Sequence, residues 1–122
     1  MTTEVQELPS VKLAVVSEGV AIVSLTIPKA FLPSISVEDR AEKELKTIER
    51  DSDVSALASQ ITAWYSGNSR SLIITIPVVN PLAETDTLNR MMLVQHLGER
   101  IALQEFSLDL TNFKKIQEDI LK

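Results

Sequence analysis

The sequence predicts an α/β domain in which helices pack on a four-stranded mixed sheet, in the order β-β-α(α)-β-α-β-α. Segments rich in β-branched residues alternate with segments whose apolar residues recur at helical spacing. The 122 residues, 44% of them hydrophobic and 24% charged, suffice for one hydrophobic core. We therefore expect a single domain over residues 1–122, in which residues 1–10 form a flexible N-terminal segment.

The first two strands are predicted to form a hairpin. Residues 11–17 and 20–28 are mostly apolar and β-branched, and the Glu18-Gly19 pair between them is typical of a tight turn. Both alternating faces of the second run are apolar, which indicates a strand in the interior of the sheet. Pro28 ends that strand because proline has no backbone N–H.

Two stretches of helical periodicity follow the hairpin. Ser36, with Asp39 three residues later, is similar to a capping box at a helix N-terminus. The apolar residues behind this cap lie at helical spacing: Ala41, Leu45 and Ile48. A second register then consists of Val54, Leu57, Ile61 and Trp64. We expect two helices, or one interrupted helix, with Trp64 in the core and Tyr65 on the surface.

The densest β-branched run of the chain, residues 71–79, predicts a buried parallel strand. Pro77 interrupts its regular hydrogen bonding. The helix that follows has its apolar residues at helical spacing, and Gly98 is expected to end it.

A fourth strand and a last helix complete the predicted order. Apolar residues at positions typical of a strand are Ile101, Leu103 and Phe106. The last helix is expected to begin at a cap formed by Asp109 or Thr111. Its apolar stripe consists of Phe113, Ile116 and Ile120.

Charge and composition exclude several classes of function. Seventeen acidic residues against 12 basic ones give a net charge of -5, and no basic stripe is present to bind nucleic acid or an anionic membrane surface. The chain has no cysteine, so disulfides, thiol nucleophiles and cysteine-based zinc sites are excluded. No signal peptide and no membrane-spanning apolar run are visible. We expect a cytoplasmic protein.

The residues required for catalysis are not apparent. The only histidine, His96, lies just before Gly98, where a helix C-terminus favours a surface or capping role. Three glycines, far apart, cannot form a phosphate-binding loop, and no nucleophile elbow occurs. Metal ligands of the usual types and spacings are also missing. We therefore expect no enzyme activity, no cofactor and no metal.

The junction between residues 80 and 88 is the most suggestive candidate site. Here a buried strand ends and a helix begins, and ligands and modifications of α/β sheets favour this edge. Thr85 or Thr87 is expected to present a hydroxyl group beside the helix N-terminus, where a phosphate is stabilised. The alternative is that one of these threonines, or Asp86, is simply the N-cap.

Three segments around this junction share a pattern with a known family. They are LIITI (72–76), ETDTL (84–88) and HLGERIALQEF (96–106). ETDTL resembles the Asp-Ser-x-Gly-Leu segment of the STAS domain, the fold of the anti-sigma factor antagonists. The flanking segments resemble that family's buried strand and its helix end, glycine turn and next strand. Glu84 stands for the family's aspartate, Thr85 for its phosphorylated serine and Thr87 for its glycine.

The resemblance implies a non-enzymatic module that regulates a partner protein, with Thr85 as a site of phosphorylation. The partner-binding surface is expected to consist of Glu84, Thr85, Asp86, Thr87 and Arg90. An edge strand of the sheet also makes a homodimer conceivable.

The alternative function is an acidic immunity or antitoxin protein that neutralises a basic toxin. Its contact surface is the carboxylate-rich stretch from Glu38 to Asp53. These carboxylates alternate with Arg40, Lys43 and other bases, a pattern that is also typical of a solvated helix face.

Overall fold

The computed structural model describes residues 8–17, 20–33 and 36–121 and has α/β architecture, as the sequence predicts. In chain order its elements are β1 (Ser10–Ser17), β2 (Val20–Pro28), a short 3-10 helix (Lys29–Phe31), α1 (Val37–Glu49), α2 (Ser55–Ala58), β3 (Thr62–Ser66), β4 (Ser71–Val78), α3 (Glu84–Ala102), β5 (Ser107–Leu108) and α4 (Leu110–Leu121). The sheet has five strands, one more than expected. No helix in these three ranges is both long enough and apolar enough to cross a membrane.

The strands lie in the order β3-β4-β2-β1-β5. β1 and β2 pair antiparallel, so the predicted hairpin is confirmed, although its Glu18-Gly19 turn lies outside the described residues. β4 pairs antiparallel with β2 on one side and β3 on the other, and the prediction of a parallel strand is wrong. The reason is that only residues 67–70 connect β3 to β4, and strands joined by so short a turn pair antiparallel. β4 thereby lies between β2 and β3, which run in the same direction, as in a split βαβ unit.

The segment around Trp64 is a strand and not a helix. α2 ends at Ala58, and residues 62–66 pair with β4. Because side chains alternate along a strand, Tyr65 points to the helix layer and is half-buried, whereas Trp64 points away and is 43% exposed. The expected placement of these two aromatic residues was therefore reversed. Threonine, tryptophan and tyrosine all favour strands, which agrees with the observed structure.

The core lies between one face of the sheet and the helices. Its central residues, all without solvent exposure, are Val23, Leu25 and Ile27 of β2 and Leu72, Ile74 and Ile76 of β4. α3 packs across this face, and Gly98 is buried inside the helix instead of ending it. A Cβ atom on Gly98 would overlap the Leu25 side chain. The glycine therefore allows α3 to approach the sheet closely.

α3 continues to Ala102, and the prediction of a fourth strand from Ile101, Leu103 and Phe106 is wrong, because none of these three residues lies in a strand. Leu103 ends the helix with a left-handed backbone (φ 58°). Arg40 of α1 donates hydrogen bonds from Nε to the Ile101 carbonyl and from Nη2 to the Arg100 carbonyl, both 2.9 Å long. These bonds satisfy carbonyls of the last helical turn, which would otherwise have no partner. β5 is left with only two residues.

α4 covers the edge of the sheet beside β1. The Asp109 carboxylate accepts a 2.9 Å hydrogen bond from the Asn112 N–H, so Asp109 acts as the cap in preference to Thr111. Asn112 Oδ1 in turn accepts the Leu13 N–H at 2.8 Å, beyond the point where pairing with β5 ends. α4 thereby satisfies a backbone group of β1 that β5 is too short to reach.

The start of β1 and the cap of α1 both differ from the prediction. β1 begins at Ser10, inside the segment expected to be flexible; residues 1–7 of that segment lie outside the described part of the chain. Ser36 occupies the N-cap position of α1, as predicted, but its side chain makes no capping hydrogen bond. The backbone carbonyl of Ser36 accepts the Arg40 N–H instead.

Candidate functional site

The junction after β4 is a short, hydrogen-bonded turn. The Asn80 side-chain oxygen accepts the Leu82 N–H at 3.1 Å, and the Asn80 carbonyl accepts the Ala83 N–H at 3.0 Å. These two bonds form a local turn that directs the chain into α3. The N-cap is Ala83, which has no side-chain cap, so the expectation that a threonine or Asp86 caps the helix is wrong.

Two of the five predicted contact residues lie inside the protein. Thr87 has 0% exposure, and its hydroxyl donates a 3.4 Å hydrogen bond to the Asn80 carbonyl, which ties the first turn of α3 to the preceding loop. Arg90, one turn further along, is also buried. Both side chains therefore stabilise the junction from buried positions.

Arg90 is the buried centre of a polar cluster. Its Nε donates to Asp86 Oδ2 at 2.9 Å, and its Nη1 donates to Gln60 Oε1 at 2.9 Å and to the Pro77 carbonyl at 3.0 Å. The guanidinium therefore joins α3 to the end of β4 and to the segment that leads into β3. Every buried side-chain nitrogen and oxygen in the described part of the chain has a hydrogen-bond partner. The cluster is complete without a ligand.

The other three predicted residues form the accessible part of the junction. Glu84 and Thr85 are exposed and Asp86 is half-buried. Two apolar side chains of the adjoining loop are exposed as well: Val79, at 83%, and Leu82. The junction therefore presents carboxylates, a hydroxyl group and apolar groups on a backbone that internal hydrogen bonds hold in place.

His96 lies on the exposed side of α3. It stands six residues before the end of the helix, so its expected position at a helix C-terminus is wrong. It borders a shallow cleft of about 210 Å³ together with Asp51 and Arg100. Among the residues that the structure describes, no three histidine, cysteine, aspartate or glutamate side chains gather to hold a metal ion.

The acidic stretch on α1 forms a mixed surface. Its exposed carboxylates include Glu38, Asp39 and Glu42, and the last of these pairs with Lys46 at 2.9 Å. Glu44 is mostly buried and pairs with Arg100 of α3 at 2.7 Å. Positive and negative charges therefore alternate along this helix, and part of the charge fastens α1 to α3.

The sequence indicated some members of the Arg90 cluster and not others. Asp86 and Arg90 stand four residues apart, the spacing at which oppositely charged side chains meet on a helix. Gln60 and the Pro77 carbonyl are 30 and 13 residues away from Arg90 and have no local signal. Only the pairing of the strands brings them to this helix.

Comparison with protein-family models, curated proteins and solved structures finds no match to this chain.

Proposed function

We propose that this chain is a non-enzymatic, STAS-like module that regulates a partner protein by binding it at the start of α3. Glu84, Thr85 and Asp86 make the contact, and Thr87 and Arg90 position them. The observation that best supports this is the exposed acidic and hydroxyl-bearing first turn, in which Asp86 pairs with the buried Arg90. The Arg90 guanidinium in turn donates to the Pro77 carbonyl of β4 and to Gln60, before β3. A surface that is ordered before binding loses less conformational entropy when a partner docks.

The neighbouring loop adds apolar surface to the same site. Val79 and Leu82 are exposed beside the polar first turn. Protein interfaces combine an apolar centre with a polar rim, and this arrangement has both components. We therefore expect a contact in which apolar burial contributes as well as charge.

Thr85 is the proposed site of phosphorylation within this surface. It is exposed in the first turn of a 19-residue helix, where backbone N–H groups favour an added phosphate. Phosphorylation adds about -1.5 to -2 charges, and it does so between Glu84 and Asp86. The modification therefore changes the charge of the contact surface sharply and can switch the partner on or off.

The test compares two variants with the same substitution at equivalent positions. Thr85 and Thr111 are both exposed and each is the second residue of a helix. We expect a partner retained from native extract at low and at moderate salt to be lost by Thr85→Arg and kept by Thr111→Arg. The identified partner is then purified and its dissociation constant is measured for all three proteins. Equal affinities across the three would overturn the proposal.

The same experiment covers the antitoxin alternative. Capture of a basic protein by the exposed carboxylates of α1 depends on charge and weakens as ionic strength rises. A basic partner that moderate salt releases, and that Thr85→Arg still binds, contradicts the proposed module. It directs attention to Glu38 and Asp39 instead, which are exposed in the first turn of α1.

A further inference from the structure

In the part of the chain that the structure describes, no helix packs on one face of the sheet. The buried apolar side chains of β1, β2 and β4 all point to the helix layer, and the alternate residues point the other way. We call this second side the open face. Its described members include Lys12, Ala14, Val20, Ile22, Ser24, Thr26, Thr62, Trp64, Ile73, Thr75 and Pro77, each of them exposed or half-buried. At one end the face continues into Ser66, Ser71 and Pro28, where Ser71 is buried.

The register arranges the exposed and half-buried residues other than Val20 in three rows across the strands. The middle row, with three hydroxyl groups, is Thr62, Thr75, Ser24 and Lys12. One flanking row is Trp64, Ile73 and Thr26, and the other is Pro77, Ile22 and Ala14. The middle of the open face is therefore polar, with a single charge, Lys12, at its β1 end, and the two flanking rows are largely apolar.

The charge of the open face differs from that of the whole chain. The net charge is -5, yet none of the described residues of the open face is a carboxylate, and its only charged member is Lys12 on β1. Two copies of a surface that carries many charges of one sign repel each other, and the open face avoids this repulsion because Lys12 is its one charged residue among those described. Threonine and serine hydroxyls both donate and accept hydrogen bonds, so a row of them can pair with an identical row across a two-fold axis.

The open face is also large enough for a specific contact. Four strands at about 4.8 Å spacing and about eight residues at about 3.3 Å per residue span about 19 by 26 Å, or about 500 Å². Two copies together bury about 1,000 Å², which is the lower limit for a specific interface. The expected complex is therefore a weak, reversible one.

We infer that the open face binds a second copy of this chain, sheet against sheet, in a two-fold symmetric dimer. The inference is independent of the proposed partner site, because Thr85 lies on α3 and not on the open face. The chain's one tryptophan, Trp64, is 43% exposed on this face, so its fluorescence emission reports directly whether the open face is buried.

Sedimentation velocity over a concentration series tests the inference with wild type, Thr26→Glu and Thr111→Glu. Both threonines are exposed and both variants add one negative charge, but only Thr26 lies on the open face. We expect wild type and Thr111→Glu to approach twice the monomer mass at high concentration. Thr26→Glu should weaken association by at least about tenfold, since each copy then brings a carboxylate without an opposite charge into the contact. Trp64 emission should shift to shorter wavelength only in the proteins that associate.

Circular dichroism shows whether Thr26→Glu is folded. If it is not, Thr62→Glu on β3 takes its place as the test variant. A monomer at every concentration overturns the inference, and so does a Thr26→Glu or Thr62→Glu protein that associates as wild type does. Thr85→Arg should leave association unchanged, whereas Thr26→Glu should leave capture of the regulated partner unchanged. Failure of the dimer and failure of the partner site are therefore distinguished.

Discussion

Arg90 and Asp86 lie one turn apart on α3 with 2.9 Å between Nε and Oδ2, yet their side chains are 9% and 45% exposed. Further hydrogen bonds to Gln60 and the Pro77 carbonyl hold the guanidinium in its buried position. The carboxylate remains partly in water. The pair therefore links the accessible first turn of α3 to the buried end of β4.

This asymmetry predicts unequal effects of removing the two charges. Arg90→Met removes the donor that Gln60 and the Pro77 carbonyl share, and because both acceptors belong to exposed residues we expect a loss of about 1–2 kcal/mol in the free energy of unfolding. Asp86→Asn keeps an acceptor oxygen at a partly exposed position and should cost at most about 0.5 kcal/mol. Urea denaturation measures both. Arg50→Met, at an exposed arginine, is the control, and losses of equal size in all three would contradict the cluster.

Gly98 should tolerate a larger side chain poorly. Gly98→Val forces atoms against Leu25 and toward Ile27 and Phe106, so we expect a destabilisation of about 2–3 kcal/mol. Gly67→Val is the matched control because nothing lies within 4 Å of a Cβ at that position. The difference in urea midpoint between the two variants is the measurement. A Gly98→Val protein as stable as the control would show that α3 does not need this close approach.

Asn112 should protect the edge of β1. Asn112→Ala removes the acceptor of the Leu13 N–H, and we expect a loss of about 1–2 kcal/mol together with faster hydrogen exchange at the Leu13 amide. Asn89→Ala replaces an exposed asparagine on α3 and should leave both properties unchanged. Unaltered exchange at Leu13 in the Asn112 variant would mean that another group accepts this hydrogen bond.

Arg40 should stabilise the C-terminus of α3 from a distance of 60 residues along the chain. Arg40→Ala leaves the Arg100 and Ile101 carbonyls without their donor, so we expect a loss of about 1–2 kcal/mol and faster exchange in the last turn of α3. Lys43→Ala, at an exposed position of the same helix, is the control. Equal thermal midpoints for the two variants would rule out this role for Arg40.

The segment around Trp64 shows why periodicity alone misled the prediction. Val54, Leu57, Ile61 and Trp64 match helical spacing, but the last of them belongs to a strand. Four apolar residues at such intervals also occur where a short helix is followed by a strand. Pairing with β4 decided between the two, and those hydrogen bonds join residues that periodicity does not relate.

The candidate site was predictable only in part. The end of a buried strand followed by a polar helix start located the junction correctly, with Glu84 and Thr85 exposed. That Thr87 and Arg90 face inward depends on where α3 rests against β4 and on the position of Gln60. Sequence spacing shows which residues share a helix face, but not which neighbour that face meets.

Local patterns were sufficient for the α/β class, for the opening hairpin and for the burial of β2 and β4, because hydrophobic periodicity and β-branched runs act over a few residues. The fifth strand, the direction of β4 and the continuation of α3 past Gly98 were decided by the tertiary structure. Each depends on bonds or contacts between distant parts of the chain: β3 with β4, β2 with β4, and Arg40 with the end of α3. The energy of these contacts exists only once the chain has folded, so no local stretch of residues encodes it.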